Sequence, residues 1–137
     1  MTITDLSGRW EVCLDESKTD ALPTKYPDRI SLPDSTSNAG LGALNTEMEY
    51  GCLTDLHKFE GYAWFRREVE IIPEMSGKNL TLFLERTRKT RVYIDGNQIG
   101  EYCSLCTPHR YDLTGLPAGK HELIIRVDNT DYPTCLL

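Results

Sequence analysis

Residues 61–72 read GYAWFRREVEII, and their apolar and polar side chains alternate with a period of two. One face of this segment carries Ala63, Phe65, Val69 and Ile71, whereas Trp64 falls in the register of the polar side chains. Such alternation is typical of a half-buried β-strand, in which successive side chains point to opposite faces of the sheet. The segment is therefore predicted to be a strand with one face in the core.

The same alternation recurs on both sides of this segment. Asp95-Gly96 between two strand-like runs predicts a two-residue hairpin, since both central residues of that turn need positive φ. No helical pattern is convincing, and only one short turn is predicted, at Ala43–Met48. The other predicted strand faces are Trp10, Val12 and Leu14; Leu80, Leu82 and Leu84; Val92 and Ile94, joined by the hairpin to Asn97–Tyr102; and Leu123, Ile125 and Val127.

Residues 15–56 are the least regular part of the chain, because proline and glycine recur among polar residues. We interpret them as long loops around one short strand, Arg29–Leu32. Many short strands joined by regular turns are typical of a sandwich or barrel. A chain of 137 residues suffices for one compact domain and is too short for two ordinary ones. The sequence predicts an all-β fold, an antiparallel β-sandwich, as a single domain over residues 1–137.

Composition and charge narrow the classes of function. The chain is 39% hydrophobic and 26% charged, which is ordinary for a globular protein. Its net charge of −6 (15 − 21) repels phosphate backbones, so a nucleic-acid partner is not expected.

No apolar run reaches the ~20 residues needed to span a bilayer, and no membrane span is predicted. We predict no cofactor. The sequence leaves localisation open: periplasmic or secreted if the parent protein carries a signal peptide, otherwise cytoplasmic.

Six blocks occur in a fixed order: Ser7-Gly8-Arg9-Trp10; Ile30-Ser31-Leu32-Pro33; Gly61 to Arg67; Leu82 to Glu85 with Arg91 to Gly96; Gly100 with Thr107 to Thr114; and Gly119 to Leu123 with Val127-Asp128-Asn129. Each block is weak by itself. Together, between Leu6 and Pro133, they resemble the N-terminal sugar-binding jelly-roll domain of glycoside hydrolase family 2, the group of β-galactosidases, β-glucuronidases and β-mannosidases. Asp34 and Phe65 depart from the family pattern, which usually has glycine and tyrosine there.

The resemblance implies a galactose-binding-like jelly roll that supports recognition of a β-linked glycoside beside a catalytic TIM barrel. The barrel and the family's immunoglobulin-like domain are absent from these residues, and the hydrolytic glutamates belong to the barrel. Glycoside hydrolysis needs two carboxylates around the scissile bond. We interpret acidic pairs such as Glu47 with Glu49 or Glu68 with Glu70 as solvated faces, and we assign no catalytic residue.

Five cysteines, an odd number with irregular spacing, do not predict a disulfide framework. Cys103 and Cys106 form a C-x-x-C with His109 three residues on, but no second ligand pair completes a zinc site. No metal site is predicted. These cysteines are interpreted as unpaired residues near a strand end, with a disulfide within the C-x-x-C as the alternative.

Trp64 allows three interpretations: a platform for sugar stacking, an interface with a neighbouring domain, or burial if both faces of its strand are covered. Burial or an interface is favoured, because tryptophan is highly buried on average and an exposed one usually marks an interface. The apolar residues Tyr132 to Leu137 favour a longer parent protein. An exposed patch at Trp64 or at these residues would promote self-association, which is a further expectation.

The residues around the end of the last predicted strand are the candidates for groups near a substrate. Asp128, Asn129 and Asp131 are polar, and in the family this stretch leads toward the next domain. The simpler interpretation is an Asx turn that closes the strand. Three hypotheses therefore remain: a fragment of a family 2 β-glycosidase that is inactive alone, a free-standing carbohydrate-binding module, or a structural β-sandwich without a ligand. The spread of Tyr26, Tyr50, Trp64 and Tyr102 along the chain favours the fragment over the module.

Overall fold

Strands account for every regular element in the part of the chain that this computed structural model describes. The described residues are 3–19, 21–32, 43–44, 57–58, 61–85, 87, 89–104 and 107–128. In these ranges no helix is long and apolar enough to cross a membrane. The strands are β1 (Gly8–Asp15), β2 (Asp28–Leu32), β3 (Ala43–Leu44), β4 (His57–Lys58), β5 (Tyr62–Ile71), β6 (Thr81–Leu84), β7 (Lys89–Ile94), β8 (Asn97–Cys103), β9 (His109–Asp112) and β10 (Gly119–Asp128).

Six strands form one antiparallel sheet in the order β2-β1-β5-β10-β7-β8. Its central strands, β5 and β10, pair along their full length, from Gly119 opposite Ile71 to Asp128 opposite Tyr62. Two further antiparallel pairs, β6 with β9 and β3 with β4, are separate from this sheet. The predicted strand Gly61–Ile72 is thus confirmed, and it is one of the two central strands of the sheet.

The β6–β9 pair packs on one face of the six-stranded sheet, which we call the core face. Leu82 of β6 and Tyr111 of β9 share a buried cluster with residues of the large sheet. Each fully buried aliphatic side chain contributes about 1.5–3 kcal/mol. Two packed layers of antiparallel strands make a sandwich, and the predicted antiparallel β-sandwich is confirmed. The other buried members of the cluster are Trp10, Val12, Ile30, Val92, Ile94, Leu123 and Ile125.

The predicted hairpin at Asp95-Gly96 joins β7 to β8. Asp95 has a φ of 50° and Gly96 a φ of 83°, as a turn with two positive φ angles requires. The Asp95 carboxylate also fixes the turn to β10, because its Oδ1 accepts a hydrogen bond of 2.9 Å from the amide of Glu122. The hairpin prediction is therefore confirmed.

Two local predictions differ from the structure. Ala43–Leu44 form the short strand β3 rather than part of a helical turn, and residues 45–48 lie outside the described residues. The strand β9 was not predicted from alternation, because its buried residues are His109 and Tyr111, which do not form an apolar pattern.

A histidine lies at each end of the core face. At one end, buried His109 accepts a hydrogen bond at Nδ1 from the Thr90 hydroxyl (2.6 Å). Its Nε2 must carry the proton, because it lies 2.9 Å from the Ser104 carbonyl oxygen, which can only accept. Burial lowers the pKa of His109, outweighing that hydrogen bond. Both the hydrogen bonds and the lowered pKa favour the neutral form of His109.

At the other end, His121 lies between two acceptors. Its Nδ1 is 2.6 Å from Oδ2 of Asp95, and its Nε2 is 2.8 Å from the Pro117 carbonyl oxygen. The hydrogen bond to Asp95 raises the pKa of His121, because both partners favour the protonated ring. The two histidines therefore have opposite preferences for charge.

Candidate functional site

The opposite surface of the six-stranded sheet, which we call the far face, carries the polar register of the strands. The alternation places Ile124 and Arg126 here, because Leu123 and Ile125 belong to the core face. The sequence candidates Trp64 and Asp128 both fall on it. The far face includes Glu11, Cys13, Tyr62, Trp64, Arg66, Glu68, Lys89, Arg91, Tyr93, Glu101, Glu122, Ile124, Arg126 and Asp128.

Trp64 is fully buried on the far face, with 0% of its surface exposed. Its ring lies 5.8 Å from that of Tyr93 and 6.3 Å from that of Tyr62, between ring centroids, and Ile124 completes the buried cluster. Leu22 and Tyr26 from the β1–β2 connection pack against this cluster. Burial is thus the interpretation that the structure supports. The expectation of an exposed patch, a domain interface or a sugar platform at Trp64 is corrected, because no ring face is accessible.

Arg126 is a charged residue inside this aromatic cluster and is only 2% exposed. Its guanidinium lies 4.0 Å from the ring centroid of Tyr62 and 5.9 Å from that of Trp64. Its Nη2 is also 4.0 Å from Oε2 of Glu101. Aromatic faces and a nearby carboxylate compensate part of the cost of burying a cation.

Glu101 is the carboxylate that pairs with the positively charged side chains of this region. Arg91 donates to its Oε2 from Nε (2.9 Å) and Nη2 (2.7 Å), and Lys89 Nζ lies 3.3 Å from its Oε1. Burial would raise the pKa of Glu101, but the hydrogen bonds from Arg91 and Lys89 outweigh it, and the pKa is lowered. Glu101 therefore stays ionised as the counter-ion of three cations.

Asp128 ends β10 and is buried, with 4% of its surface exposed. It is paired across the sheet with Tyr62 on β5 and with Lys89 on β7. Asp128 is therefore a neighbour of the Trp64–Arg126 cluster. The other two candidates near a substrate, Asn129 and Asp131, lie outside the described residues.

A second polar arrangement occupies the far face across β1, β5 and β10. Arg66 donates to Oε2 of Glu11 from Nη1 (2.6 Å) and to Oε2 of Glu122 from Nε (2.7 Å). These hydrogen bonds raise the pKa of Arg66. The three side chains are about one-third exposed and line a groove of about 430 Å³. The other lining residues are Leu22, Pro23, Thr24, Tyr26 and Ile124.

The cysteine predictions require one correction. Cys103 is disulfide-bonded, so its interpretation as unpaired is wrong. Cys13, on β1, is free. Among the described residues, no group of three or more histidine, cysteine or acidic side chains is arranged to hold a metal ion.

Sequence reasoning missed Arg126, Glu101 and the Glu11–Arg66–Glu122 arrangement. Arg126 is the cross-strand partner of Trp64, and Arg66 is that of Glu11. Alternation predicts the face on which each of these side chains lies. Which of these side chains contact one another depends on the order of the strands in the sheet, and alternation does not predict that order.

The fold and the far face define an antiparallel β-sandwich domain with one apolar layer and one layer of aromatic and charged side chains. No protein-family model matches the chain, and no curated protein matches it. Solved structures with the same fold include three β-glucuronidases. The one from Faecalibacterium prausnitzii has a TM-score of 0.67 and 24% identity, covering 92% of this chain and 21% of that chain.

A β-glucuronidase from an uncultured Clostridium sp. has a TM-score of 0.71 and 19% identity, over 92% of this chain and 22% of that chain. A Ruminococcus gnavus β-glucuronidase in complex with uronic deoxynojirimycin has a TM-score of 0.67 and 18% identity, over 90% of this chain and 21% of that chain. The chain thus spans about one-fifth of these enzymes and shares the fold of that part. At these identities the likeness concerns the fold.

Proposed function

We propose that this chain is the N-terminal, non-catalytic β-sandwich domain of a family 2 β-glycosidase. In that protein it contributes to recognition of a β-linked glycoside and packs against the catalytic barrel. The observation that carries the proposal is the fold that the chain shares with about one-fifth of three β-glucuronidases, and the six ordered sequence blocks agree with it.

The positions of the blocks in the fold support a structural role. The segment Gly61 to Arg67 begins the central strand β5, and Gly119 to Leu123 begins its partner β10. Trp10 of the first block is buried in the core and donates a hydrogen bond of 2.8 Å from Nε1 to the Leu6 carbonyl oxygen. The blocks thus supply the central strands of the sheet and a buried residue of the core.

The residues at and after the end of β10 are the ones proposed to lie near the substrate. Asp128 is held among charged and aromatic neighbours, and Asn129 and Asp131 follow it in the sequence. In the proposed role these three residues lie on the side of the domain that faces the barrel. Replacement of Asn129 or Asp131 would then affect the assembled enzyme, whereas replacement of the buried Asp128 would also affect the folding of this domain.

A free-standing carbohydrate-binding module is the second candidate, and the groove at Glu11, Arg66 and Glu122 is the observation that favours it. A lectin-like module usually presents clustered aromatic rings to its sugar. Here the exposed aromatic residues Phe83 and Tyr102 lie on different sheets, β6 and β8. The described surface therefore favours the enzyme domain.

Activity assays of the purified chain test the non-catalytic role. We expect no turnover of chromogenic β-galactoside, β-glucuronide or β-mannoside, because the hydrolytic carboxylates are assigned to the barrel. Turnover that survives stringent repurification would contradict the proposal. The coding sequence downstream of Leu137 then separates the candidates. A barrel with two glutamates at its strand ends supports the enzyme domain, and a stop codon supports the module.

Packing against a barrel also implies an interface that the isolated domain leaves uncovered. We propose that the isolated chain self-associates as its concentration rises, through residues 132–137, which lie outside the described residues. Sedimentation velocity over a concentration series measures this directly. A strictly monomeric species at all concentrations would contradict it.

A further inference from the structure

The β9–β10 connection, residues 113–118, is held at its two ends by different groups. At the first end, the Thr114 hydroxyl accepts a hydrogen bond of 3.1 Å from the amide of Leu80, just before β6. At the second end, the Pro117 carbonyl oxygen lies 2.8 Å from Nε2 of His121, its only hydrogen-bond partner among the described residues. The attachment of the second end therefore depends on one titratable side chain.

Both ring nitrogens of His121 face groups that can only accept a hydrogen bond. Nδ1 lies 2.6 Å from Oδ2 of Asp95, and Nε2 faces the Pro117 carbonyl oxygen. Both contacts are hydrogen bonds only while the ring carries two protons. A neutral imidazole has one N–H and presents a lone pair at its other nitrogen. Loss of one proton from the ring therefore breaks one of the two contacts.

The contact that persists is the one with Asp95. A hydrogen bond to an ionised carboxylate is roughly twice as strong as one between neutral groups. The other oxygen of Asp95 accepts from the Glu122 amide (2.9 Å), which holds the carboxylate in place. The hydrogen bonds from His121 and Glu122 lower the pKa of Asp95, so the carboxylate is ionised wherever histidine titrates. The proton at Nε2 thus leaves for solvent, and Pro117 loses its donor.

Asp95 is the charged group that determines the protonation of His121. Its hydrogen bond, followed by that of Pro117, raises the pKa of His121, so the ring stays doubly protonated to a pH above 6.5. The other charged side chains of the surrounding elements are directed elsewhere. They are Arg67 on the same face of β5, which donates to the Ser7 carbonyl oxygen (2.9 Å); Asp112 at the end of β9, which accepts from the Thr114 amide (2.9 Å); and Glu68, Glu70, Lys120 and Glu122, which point to the far face.

We propose that the β9–β10 connection is a pH-dependent strap at one end of the core, closed while His121 is protonated and released at its Pro117 end when the ring is neutral. Leu116 lies next to that end, is partly buried and packs against the core cluster. Release of Pro117 therefore frees Leu116 and uncovers apolar surface. The opening is local, because Thr114 remains bonded to Leu80. This inference does not depend on the proposed enzyme-domain role.

The test is backbone ¹⁵N relaxation of the full 137-residue chain at a series of pH values from about 5.5 to about 9. The carbon-bound ring protons of His121 report its protonation in the same samples. We expect the order parameters of Leu116 and Ala118 to fall from about 0.85 to below about 0.6 as the ring loses its proton. Thr114, in the same connection, should keep a value of about 0.85 throughout.

Asp95→Asn separates the proposed mechanism from a merely structural role of the turn. Asparagine tolerates the φ of 50° at this position, and its amide nitrogen can donate to Nδ1 of a neutral ring. The ring proton then stays on Nε2, facing Pro117. We expect His121 to titrate at least about one pH unit lower, and Leu116 and Ala118 to remain ordered at about pH 9. A merely structural role of Asp95 would loosen the connection at every pH.

The matched control is Asp112→Asn, which makes the same change of carboxylate to amide at the first end of the connection. Asparagine can still accept from the Thr114 amide, so we expect the wild-type pH response. Loss of the response in this variant would assign it to Asp112 and overturn the inference.

Three further outcomes would also overturn it. The first is an ordered Leu116 in the wild type when His121 is neutral. The second is an Asp95→Asn variant whose connection loosens at alkaline pH as the wild type does. The third is a loss of order in the Asp95-Gly96 turn, or throughout the chain, in place of the local release. Each of these outcomes leaves the enzyme-domain proposal standing.

Discussion

The core face and the far face of the six-stranded sheet are built from alternate residues of the same strands, yet they are stabilised differently. Leu123 and Ile125 on β10 point into an apolar cluster that β6 and β9 cover. Ile124 and Arg126, between and beside them, belong to the far face, where rings, carboxylates and cations mix. The comparison shows that burial and polarity vary independently in this domain, because Arg126 is as buried as Leu123.

Trp64→Ala gives the largest expected effect and tests whether the far face is a second core. We expect the free energy of unfolding to fall by about 3–5 kcal/mol, because truncating a buried large aromatic side chain leaves a cavity. Urea denaturation measures it. The control is Phe83→Ala, on a residue that is 46% exposed, for which a loss under about 1 kcal/mol is expected. Equal losses in the two variants would contradict a buried far face.

Arg126→Ala comes next and tests the charged component of the far face. A loss of about 3 kcal/mol is expected, since the guanidinium is buried against Tyr62 and close to Glu101. Arg110→Ala is the matched variant: its guanidinium lies 5.3 Å from the ring centroid of half-exposed Phe83. An exposed cation–π contact contributes about 0.5–1 kcal/mol. A smaller loss for Arg126 than for Arg110 would show that burial adds nothing to this contact.

The two histidines at the ends of the core face give pH effects of opposite sign. The lowered pKa of His109 means that the unfolded chain binds its proton more tightly. Its stabilising contribution is therefore present above the ordinary value of 6.5 and is lost as the pH falls. The raised pKa of His121 means the reverse: its contribution is present below 6.5 and is lost as the pH rises through the folded-state pKa.

Unfolding at a series of pH values separates these contributions. The stability difference between wild type and His109→Asn should shrink as the pH falls from about 7.5 to about 5.5. The difference between wild type and His121→Asn should grow over the same interval. Changes of the same sign in both variants would refute the assigned protonation states.

Glu68→Gln gives the smallest effect. The Glu68 carboxylate lies 3.5 Å from Lys120 Nζ, and both side chains are mostly exposed. Exposed ion pairs contribute little, so the change in the free energy of unfolding should stay within about 0.5 kcal/mol. A loss above about 1 kcal/mol would contradict the small contribution expected of an exposed ion pair.

Alternation was sufficient to predict the sandwich and to assign Trp64 to the polar register. Residues such as Val92 and Leu123 lie on the face that their spacing predicts, because successive side chains of a strand point to opposite faces of the sheet. Burial of Trp64 was one of the two favoured interpretations, but the residues that cover it, Leu22 and Tyr26, could not be predicted, since their connection has no periodicity. The contact of Arg126 with Glu101 depends on β7 and β8 lying next to β10. The disulfide at Cys103 likewise requires three-dimensional proximity.

The positions of the two tryptophans make the two faces distinguishable by fluorescence. Trp10 is buried in the core face and Trp64 in the far face, and the chain has no third tryptophan. The Trp10 indole donates a hydrogen bond to the Leu6 carbonyl oxygen, whereas that of Trp64 has no such partner among the described residues. Trp10→Phe and Trp64→Phe would each leave a single emitter, so that each layer reports its own unfolding. Coincident emission curves would mean that the sandwich melts as one cooperative unit, and separated curves that one layer loosens first.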